Sequence, residues 1–229
     1  MIGALAANGV KEAWGSSTTA CLRWTTPEEK QRIVSHIADE IKEALLAAKQ
    51  YDIRFIPLYR VVPKLHSEGL RVKEVMDSSP YRGFKIHPLD EGFENEFLAN
   101  SLMEEVCEYA SAHQFPVLIH TGEDLCVAPE RFETFFGRFR NVKFVLAHCK
   151  EAERVIRLFK KHANVFGDTA FCPYESYHKI CECGYGNRIQ TGTDFPVTHW
   201  FGSDKKCGRV SKRALISNYK KVLDELLLY

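Results

Sequence analysis

The sequence predicts an α/β fold: a TIM-type (β/α) barrel that lacks one βα unit and forms a single domain over residues 1–229. Short runs of β-branched and aromatic residues alternate with amphipathic stretches, which is typical of parallel strands joined by helices. Seven such strands are recognisable, whereas a complete barrel has eight. An open doubly wound sheet is disfavoured because no glycine-rich phosphate loop follows an early strand.

The first long helix has the clearest boundaries. Thr26 can cap it, Pro27 takes the first helical position and Glu29 completes a capping box. Apolar residues then recur at helical spacing over residues 33–48. Residues 1–5 indicate a short helix before the first visible strand, so we expect the missing unit to be the first one.

The other elements follow in order along the chain. The predicted strands are residues 10–16, 53–61, 84–88, 116–120, 142–148, 164–169 and 188–194. The predicted helices after the first are residues 98–110, 132–139, 151–162 and 215–226. Four long loops follow strands, and we expect them to determine which substrate binds: residues 62–83, 122–131, 169–186 and 197–210.

Composition excludes several classes of protein. Lys and Arg number 31 against 30 for Asp and Glu, so the basic surface of a nucleic-acid-binding protein is not expected. No apolar run is long enough to cross a membrane, and the start lacks the basic region of a secretory signal. The eight cysteines include no C-x-x-C pair, which favours reduced thiols. We therefore expect a cytoplasmic protein with neither a nucleic-acid nor a membrane partner.

Three strand ends carry side chains suited to metal chemistry. Strand 116–120 ends at His120, strand 142–148 ends at His148, and the last strand runs into Asp194. The carboxyl ends of barrel strands converge on one face, where active sites lie. Neutral imidazole nitrogens and a carboxylate are ligands that divalent transition metals prefer, and a metal so held activates a water molecule.

Three further residues are candidates for binding substrate. Lys85 and His87 are two apart on a strand and therefore share a face, which we expect to point into the barrel. Arg60 lies at the end of its strand, where it could meet a substrate carboxylate or form a surface ion pair. His66 lies several residues past its strand, where it could be either a solvated loop residue or part of the site, and Asp168 is expected to hydrogen-bond to a neighbouring strand rather than to react.

Four segments occur in an order and spacing that resemble the amidohydrolase superfamily. They are GFKIHP at 83–88, FPVLIHTG at 115–122, VKFVLAH at 142–148 and TGTDFP at 191–196. The branch that the chain resembles is the amidohydrolase-2 type of TIM-barrel metal-dependent hydrolases, which also contains decarboxylases.

The resemblance implies a mononuclear site for a divalent metal, with zinc expected first and manganese or iron as the other candidates. It implies that His120 and Asp194 are metal ligands and that Asp194 orients metal-bound water as the general base. It also implies that His148 polarises the substrate or transfers protons.

The chain departs from the family at its start. The family's first strand carries a His-x-His pair that supplies two metal ligands, and this sequence contains no His-x-His. We expect either a start that was placed too late or a short form without these ligands. A missing strand leaves two unpaired strand edges, which favours a homodimer formed across the gap.

Three hypotheses about function follow. The leading one is metal-dependent hydrolysis of a C–N, C–O or lactone-type bond in a small organic substrate, or decarboxylation on the same site. The second is a catalytically impaired or non-catalytic barrel that lacks two metal ligands. The third is a TatD-type nuclease, which would need a glutamate where this chain has Lys85 and His87.

Overall fold

The computed structural model describes residues 2–7, 9–17, 24–90, 92–122, 124–192, 194, 206–207 and 210–211. The chain divides into two compact units, Met1–Val117 (unit 1) and Leu118–Tyr229 (unit 2). The single domain expected over residues 1–229 stays a prediction.

Unit 1 contains two pairs of parallel strands and five helices among its described residues. Strands β1 and β2 pair in parallel, and so do β3 and β4, in which Arg60 lies opposite Lys85. Its elements are α1 (Ile2–Ala7), β1 (Glu12–Gly15), α2 (Pro27–Gln50), β2 (Arg54–Pro57), β3 (Tyr59–Val61), α3 (Pro63–Ser67), α4 (Val72–Asp77), β4 (Phe84–Ile86) and α5 (Glu96–His113).

Helix α2 begins with the capping box that the sequence predicts. The Thr26 hydroxyl accepts the backbone N–H of Glu29 at 3.2 Å, and the Glu29 carboxylate accepts the backbone N–H of Thr26 at 3.3 Å. These two bonds satisfy donors that a helix start otherwise leaves without a partner. The backbone hydrogen bond from Thr25 lowers the pKa of the Glu29 carboxyl below its ordinary value.

Unit 2 builds a parallel sheet whose strand order is β5-β6-β7-β8. All of β5 except its first residue belongs to this unit. The elements are β5 (Val117–His120), 3₁₀ turns at Leu125–Val127 and Pro129–Phe132, α6 (Glu133–Arg138), β6 (Phe144–Ala147), α7 (Ala152–Lys161), β7 (Val165–Asp168), α8 (Tyr174–Glu182), a 3₁₀ turn at Gly186–Arg188, β8 (Ile189–Gln190) and an antiparallel pair, β9 (Lys206–Cys207) and β10 (Val210–Ser211).

The core of unit 2 holds the strand ends in place. Phe144 and Leu146 of β6 are fully buried, as are Phe136 of α6 and the α7 residues Leu158 and Phe159. Burying large apolar side chains contributes roughly 1.5–3 kcal/mol each. Strand β6, which is buried along its whole length, is therefore a rigid support for the residue that follows it.

The predicted strand 53–61 is two strands, β2 and β3, separated by Leu58. The backbone N–H of Leu58 donates to the carbonyl of Gly15 at 2.7 Å, whereas that of Tyr59 donates to the carbonyl of Gly83 at 2.9 Å. The chain thus changes partner strand at this residue. The last strand is shorter than predicted, because β8 ends at Gln190 and residues 191–192 are irregular.

Three helices lie in segments predicted as loops. Helices α3 and α4 fall within residues 62–83, and α8 falls within residues 169–186. Two of them have only five or six residues, too few to show an apolar period. The predicted helix 215–226 lies outside the described residues. In the part of the chain that the structure describes, no helix is long and apolar enough to span a membrane.

Candidate active site

Two histidines meet at the carboxyl ends of neighbouring strands in unit 2. His120 is the last residue of β5, and His148 directly follows β6. The Nδ1 atom of His120 lies 2.9 Å from Nε2 of His148, and the ring centroids are 4.6 Å apart at an interplanar angle of 76°. The prediction that these two strand ends come together is confirmed.

The hydrogen bonds assign the protons of this pair. Nδ1 of His148 lies 2.7 Å from the carbonyl oxygen of Ala170, which can only accept, so Nδ1 carries a hydrogen. In the neutral ring Nε2 of His148 is then an acceptor, and it receives the hydrogen on Nδ1 of His120. The lone pair of His120 consequently lies on Nε2, as assigned from the hydrogen-bond network.

Asp168, at the end of β7, is held by backbone N–H groups. Its Oδ1 atom accepts the N–H of His148 at 2.9 Å and that of Ala170 at 3.0 Å, and the residue is 5% exposed. A Cβ built on Gly192 would lie 2.9 Å from the carboxyl carbon of Asp168, so only glycine permits this approach. The expectation that Asp168 bonds to a neighbouring strand is confirmed.

Among the described residues of unit 2, four non-glycine residues have left-handed backbones, and all four follow strands. They are His148 (φ 79°), Cys149 (φ 37°), Phe171 (φ 52°) and Asp194 (φ 47°). Such conformations cost roughly 1–3 kcal/mol each and concentrate at functional sites. Two of these four residues, His148 and Asp194, are candidates from the sequence. Histidine and aspartate adopt this conformation more often than most non-glycine residues, but this preference is too weak to predict it at a given position.

The two buried thiols near His148, those of Cys149 and Cys172, are unreactive. Burial raises the pKa of the Cys149 thiol well above its ordinary value, and nearby Cys172 and Asp168 raise it further. Burial also raises the pKa of Cys172 to about 12. Both side chains are therefore neutral thiols at ordinary pH and act as packing groups. The six cysteines whose side chains the structure describes are thiols rather than disulfides, as expected.

The remaining candidates lie in unit 1. Arg60 is 8% exposed, and its Nε and Nη2 atoms each donate to an oxygen of Asp90 at 2.8 Å. Arg60 does form an ion pair, but the prediction that this pair lies at the surface is wrong, because both side chains are buried. His87 lies beside it, with Nδ1 3.7 Å from Oδ1 of Asp90, and Lys85 is half-buried on β4. The sequence does not predict Asp90 as the partner of Arg60, because no local pattern links residues that are 30 positions apart.

His66 lies in helix α3, so the alternative of a solvated loop histidine is wrong. Its Nδ1 atom donates to the carbonyl of Leu70 at 2.7 Å, and its Nε2 atom lies 3.1 Å from the Tyr59 hydroxyl. Burial lowers the pKa of His66 and raises that of Tyr59. His66 is therefore a neutral, hydrogen-bonded residue of unit 1. His178, also expected in a loop, lies in α8.

The described side chains do not include a complete set of metal ligands. Among the residues whose placement the structure gives, no group of three or more His, Cys, Asp and Glu side chains is close enough to hold a metal ion. Asp194 follows β8 with a half-buried side chain, and His199 lies outside the described residues.

Comparison with solved structures identifies the fold. The crystal structure of 5-carboxyvanillate decarboxylase from Novosphingobium aromaticivorans, complexed with manganese and 4-hydroxy-3-methoxy-5-nitrobenzoic acid, matches with a TM-score of 0.59 at 11% identity and covers 95% of this chain and 76% of that one. An amidohydrolase from Burkholderia multivorans with bound zinc matches with a TM-score of 0.48 at 14% identity, over 82% of this chain and 72% of that one. The predicted α/β class with parallel strands, of the TIM-barrel amidohydrolase type, is confirmed, and the missing first unit stays a prediction.

The family is shown by sequence. No curated protein matches the chain. The family model described as amidohydrolase matches residues 22–213, which is most of the 229 residues and includes all four segments on which the predicted resemblance rests. The chain belongs to the amidohydrolase family.

Proposed function

We propose that this chain is a metal-dependent enzyme that hydrolyses a C–N, C–O or lactone-type bond in a small organic substrate, or decarboxylates a substrate on the same site. The observation that carries the proposal is the His120–His148 pair, whose protons are fixed by the contact of His148 with Ala170. Family membership supports it, and so does the likeness in fold to a decarboxylase whose structure contains manganese.

The residues that would hold the metal are His120 and Asp194. Their chemistry fits a divalent ion, because the hydrogen-bond network puts the lone pair of His120 on Nε2 and Asp194 offers an anionic oxygen. Zinc is the first candidate, with manganese and iron as alternatives. A divalent ion in this position supplies Lewis acidity toward the substrate.

His148 is the proposed proton-transfer group. In the neutral ring its Nε2 atom is the basic nitrogen, and before reaction this atom accepts the Nδ1–H of His120. A proton taken up there must displace that hydrogen bond, and it makes an imidazolium whose Nδ1–H already faces the Ala170 carbonyl. In a hydrolysis, the proton that Asp194 would accept from the attacking water is the one passed on through His148 to the leaving group; in a decarboxylation, His148 would take its proton from solvent and give it to the carbon that loses CO₂.

Lys85, His87 and Arg60 are the proposed substrate-binding residues of unit 1. Two of these residues, Arg60 and Lys85, carry positively charged side chains, and Asp90 pairs with Arg60. This favours an anionic substrate, for example a carboxylate. The homodimer and the cytoplasmic location stay predictions.

Metal content is the first test. Protein purified without chelators should contain about one zinc, manganese or iron ion per chain by inductively coupled plasma mass spectrometry. His120→Ala and Asp194→Ala should lose it, whereas His36→Ala, at an exposed position of α2, should retain it. Unchanged metal in the first two variants would exclude the assigned ligands. An absence of metal in the unaltered protein would exclude metal dependence and favour the non-catalytic barrel.

Turnover is the second test, on a panel of lactones, amides and aromatic carboxylates assayed for acid release and for CO₂ release. His148→Ala should lower kcat by roughly 10²–10⁴-fold while the metal content stays unchanged, because a proton-transfer group is lost. Turnover that survives this substitution would contradict the role of His148. Release of acid without CO₂ indicates hydrolysis, and release of CO₂ indicates decarboxylation.

A further inference from the structure

We infer that Asp168 is a positioning residue that sets the tautomer of His148 through the backbone rather than by touching its ring. The inference concerns the histidine itself, and its importance for turnover rests on the proposed function. It assigns Asp168 a role beyond the sheet hydrogen bond expected from its sequence position.

The first step is that one oxygen atom of Asp168 holds two backbone groups. Oδ1 accepts the N–H of His148 at 2.9 Å and the N–H of Ala170 at 3.0 Å. These groups follow two different strands, β6 and β7, so the carboxylate ties the two strand ends together. It also bonds to His148 where the backbone is left-handed, a conformation that needs support from its surroundings.

The second step connects the backbone to the ring. The carbonyl of Ala170, whose own N–H is fixed by Asp168, accepts the hydrogen on Nδ1 of His148 at 2.7 Å. The position of the donor ring and the position of its acceptor therefore depend on the same oxygen atom. In a free imidazole the two tautomers differ little in free energy, and a single hydrogen bond of ordinary strength selects between them.

The third step concerns the charge of Asp168. The role requires an oxygen that accepts two N–H groups, and a side-chain amide oxygen accepts two as well. Gly192 leaves room beside the second carboxylate oxygen, which lies 3.0 Å from a Cβ built on that glycine. Asp168→Asn should therefore preserve the tautomer of His148, whereas Asp168→Ala should not.

The experiment is a long-range ¹H–¹⁵N correlation spectrum of the histidine rings in protein without added metal. His148 should show a protonated Nδ1 and an unprotonated Nε2 in the unaltered protein and in Asp168→Asn, with His148→Gln identifying its signals. In Asp168→Ala the tautomer ratio should shift by about fivefold toward protonated Nε2, as loss of one hydrogen bond predicts. Asp39→Ala, at an exposed position of α2, serves as the control and should change nothing.

An unchanged tautomer in a folded Asp168→Ala protein would overturn the inference, and so would a shifted tautomer in Asp168→Asn. If Asp168→Ala does not fold, the amide protons of His148 and Ala170 provide the test in the unaltered protein. Hydrogen bonds to the carboxylate should slow their exchange with solvent, and fast exchange at both would also overturn the inference. Because none of these readouts uses metal or turnover, failure of the proposed function leaves the result interpretable.

Discussion

Two buried carboxylates, Asp90 in unit 1 and Asp168 in unit 2, are stabilised by different donors. Asp90 accepts two hydrogen bonds from the guanidinium of Arg60, each 2.8 Å long. Asp168 accepts two backbone N–H groups through one oxygen. The first arrangement pairs opposite charges, whereas the second uses the dipoles of peptide groups. Burial of a carboxylate therefore does not by itself indicate its role.

The two carboxylates also differ in which group they hold in place. Asp90 balances the charge of a side chain proposed to bind substrate, so its main contribution is to keep Arg60 buried and fixed. Oδ1 of Asp168 accepts two backbone N–H groups, and Nε2 of His148 meets another side chain, that of His120. The Arg60–Asp90 pair fixes two side chains of unit 1, whereas the backbone contacts of Asp168 fix the segments that follow two strands of unit 2.

The largest expected effect comes from removing the charge of Asp90, whereas the same change at Asp168 should cost little. Asp90→Asn should lower the free energy of unfolding by about 3–5 kcal/mol, because it leaves the buried guanidinium of Arg60 without its counter-charge. Asp168→Asn should cost about 1 kcal/mol or less, since its oxygen still accepts both N–H groups. Urea unfolding of the two variants measures both values. Equal costs would remove the distinction between the two sites.

A smaller effect tests how tightly the strand ends of unit 2 are packed. A Cβ built on Gly167 of β7 would lie 2.3 Å from the sulfur of Cys149, so Gly167→Ala should destabilise the protein by about 1–3 kcal/mol. The matched control is Gly137→Ala in α6, whose Cβ would meet nothing closer than 3.7 Å and which should not lower stability.

A double variant assigns the cause of that loss. Adding Cys149→Ala to Gly167→Ala removes the sulfur, and the pair should be more stable than the sum of the two single changes predicts. Thermal or urea unfolding gives the four values of this cycle. Strict additivity would show that the sulfur is not what opposes a side chain at position 167.

The capping box of α2 provides a reference for one local interaction in unit 1. Thr26→Ala removes the hydroxyl that accepts the Glu29 N–H and should cost about 1 kcal/mol, well below the cost at Asp90. Thr26→Ser keeps the hydroxyl and should cost little. If urea unfolding shows Thr26→Ala to be as damaging as Asp90→Asn, the buried ion pair has no special weight in this unit.

The smallest effect depends on pH and sharpens the comparison between two histidines. His66 in unit 1 also donates Nδ1–H to a backbone carbonyl at 2.7 Å, but its Nε2 atom meets the Tyr59 hydroxyl rather than a second imidazole. Because burial lowers its pKa, the unfolded chain binds a proton near pH 6.5 before the folded chain does. Stability should therefore fall as the pH drops below about 6.5.

The share of that loss due to His66 is at most about 1 kcal/mol between pH 6.5 and 5.5. Urea unfolding at a series of pH values measures it, and His66→Gln should make the dependence shallower. His36→Gln, at an exposed position, should leave the slope unchanged. An unchanged slope in His66→Gln would contradict the lowered pKa.

Local patterns in the sequence predict those features that depend on neighbouring residues. The capping box at Thr26 and the histidines after two apolar strands are such features, and both are found in the structure. The Arg60–Asp90 pair could not be predicted, because the fold alone brings its members together. Helices α3 and α4 are too short to have a periodic pattern and depend on packing.

The orientation of the His120–His148 pair has a consequence for the electron density of its outer nitrogen. The carbonyl of Ala170 and the two rings form a series of hydrogen bonds in which every donor points the same way. Bonds in such a series polarise one another, so electron density is pushed toward Nε2 of His120. The donor strength of that nitrogen is thus tuned by a peptide group two strands away, and substitutions around Ala170 can alter it without touching His120.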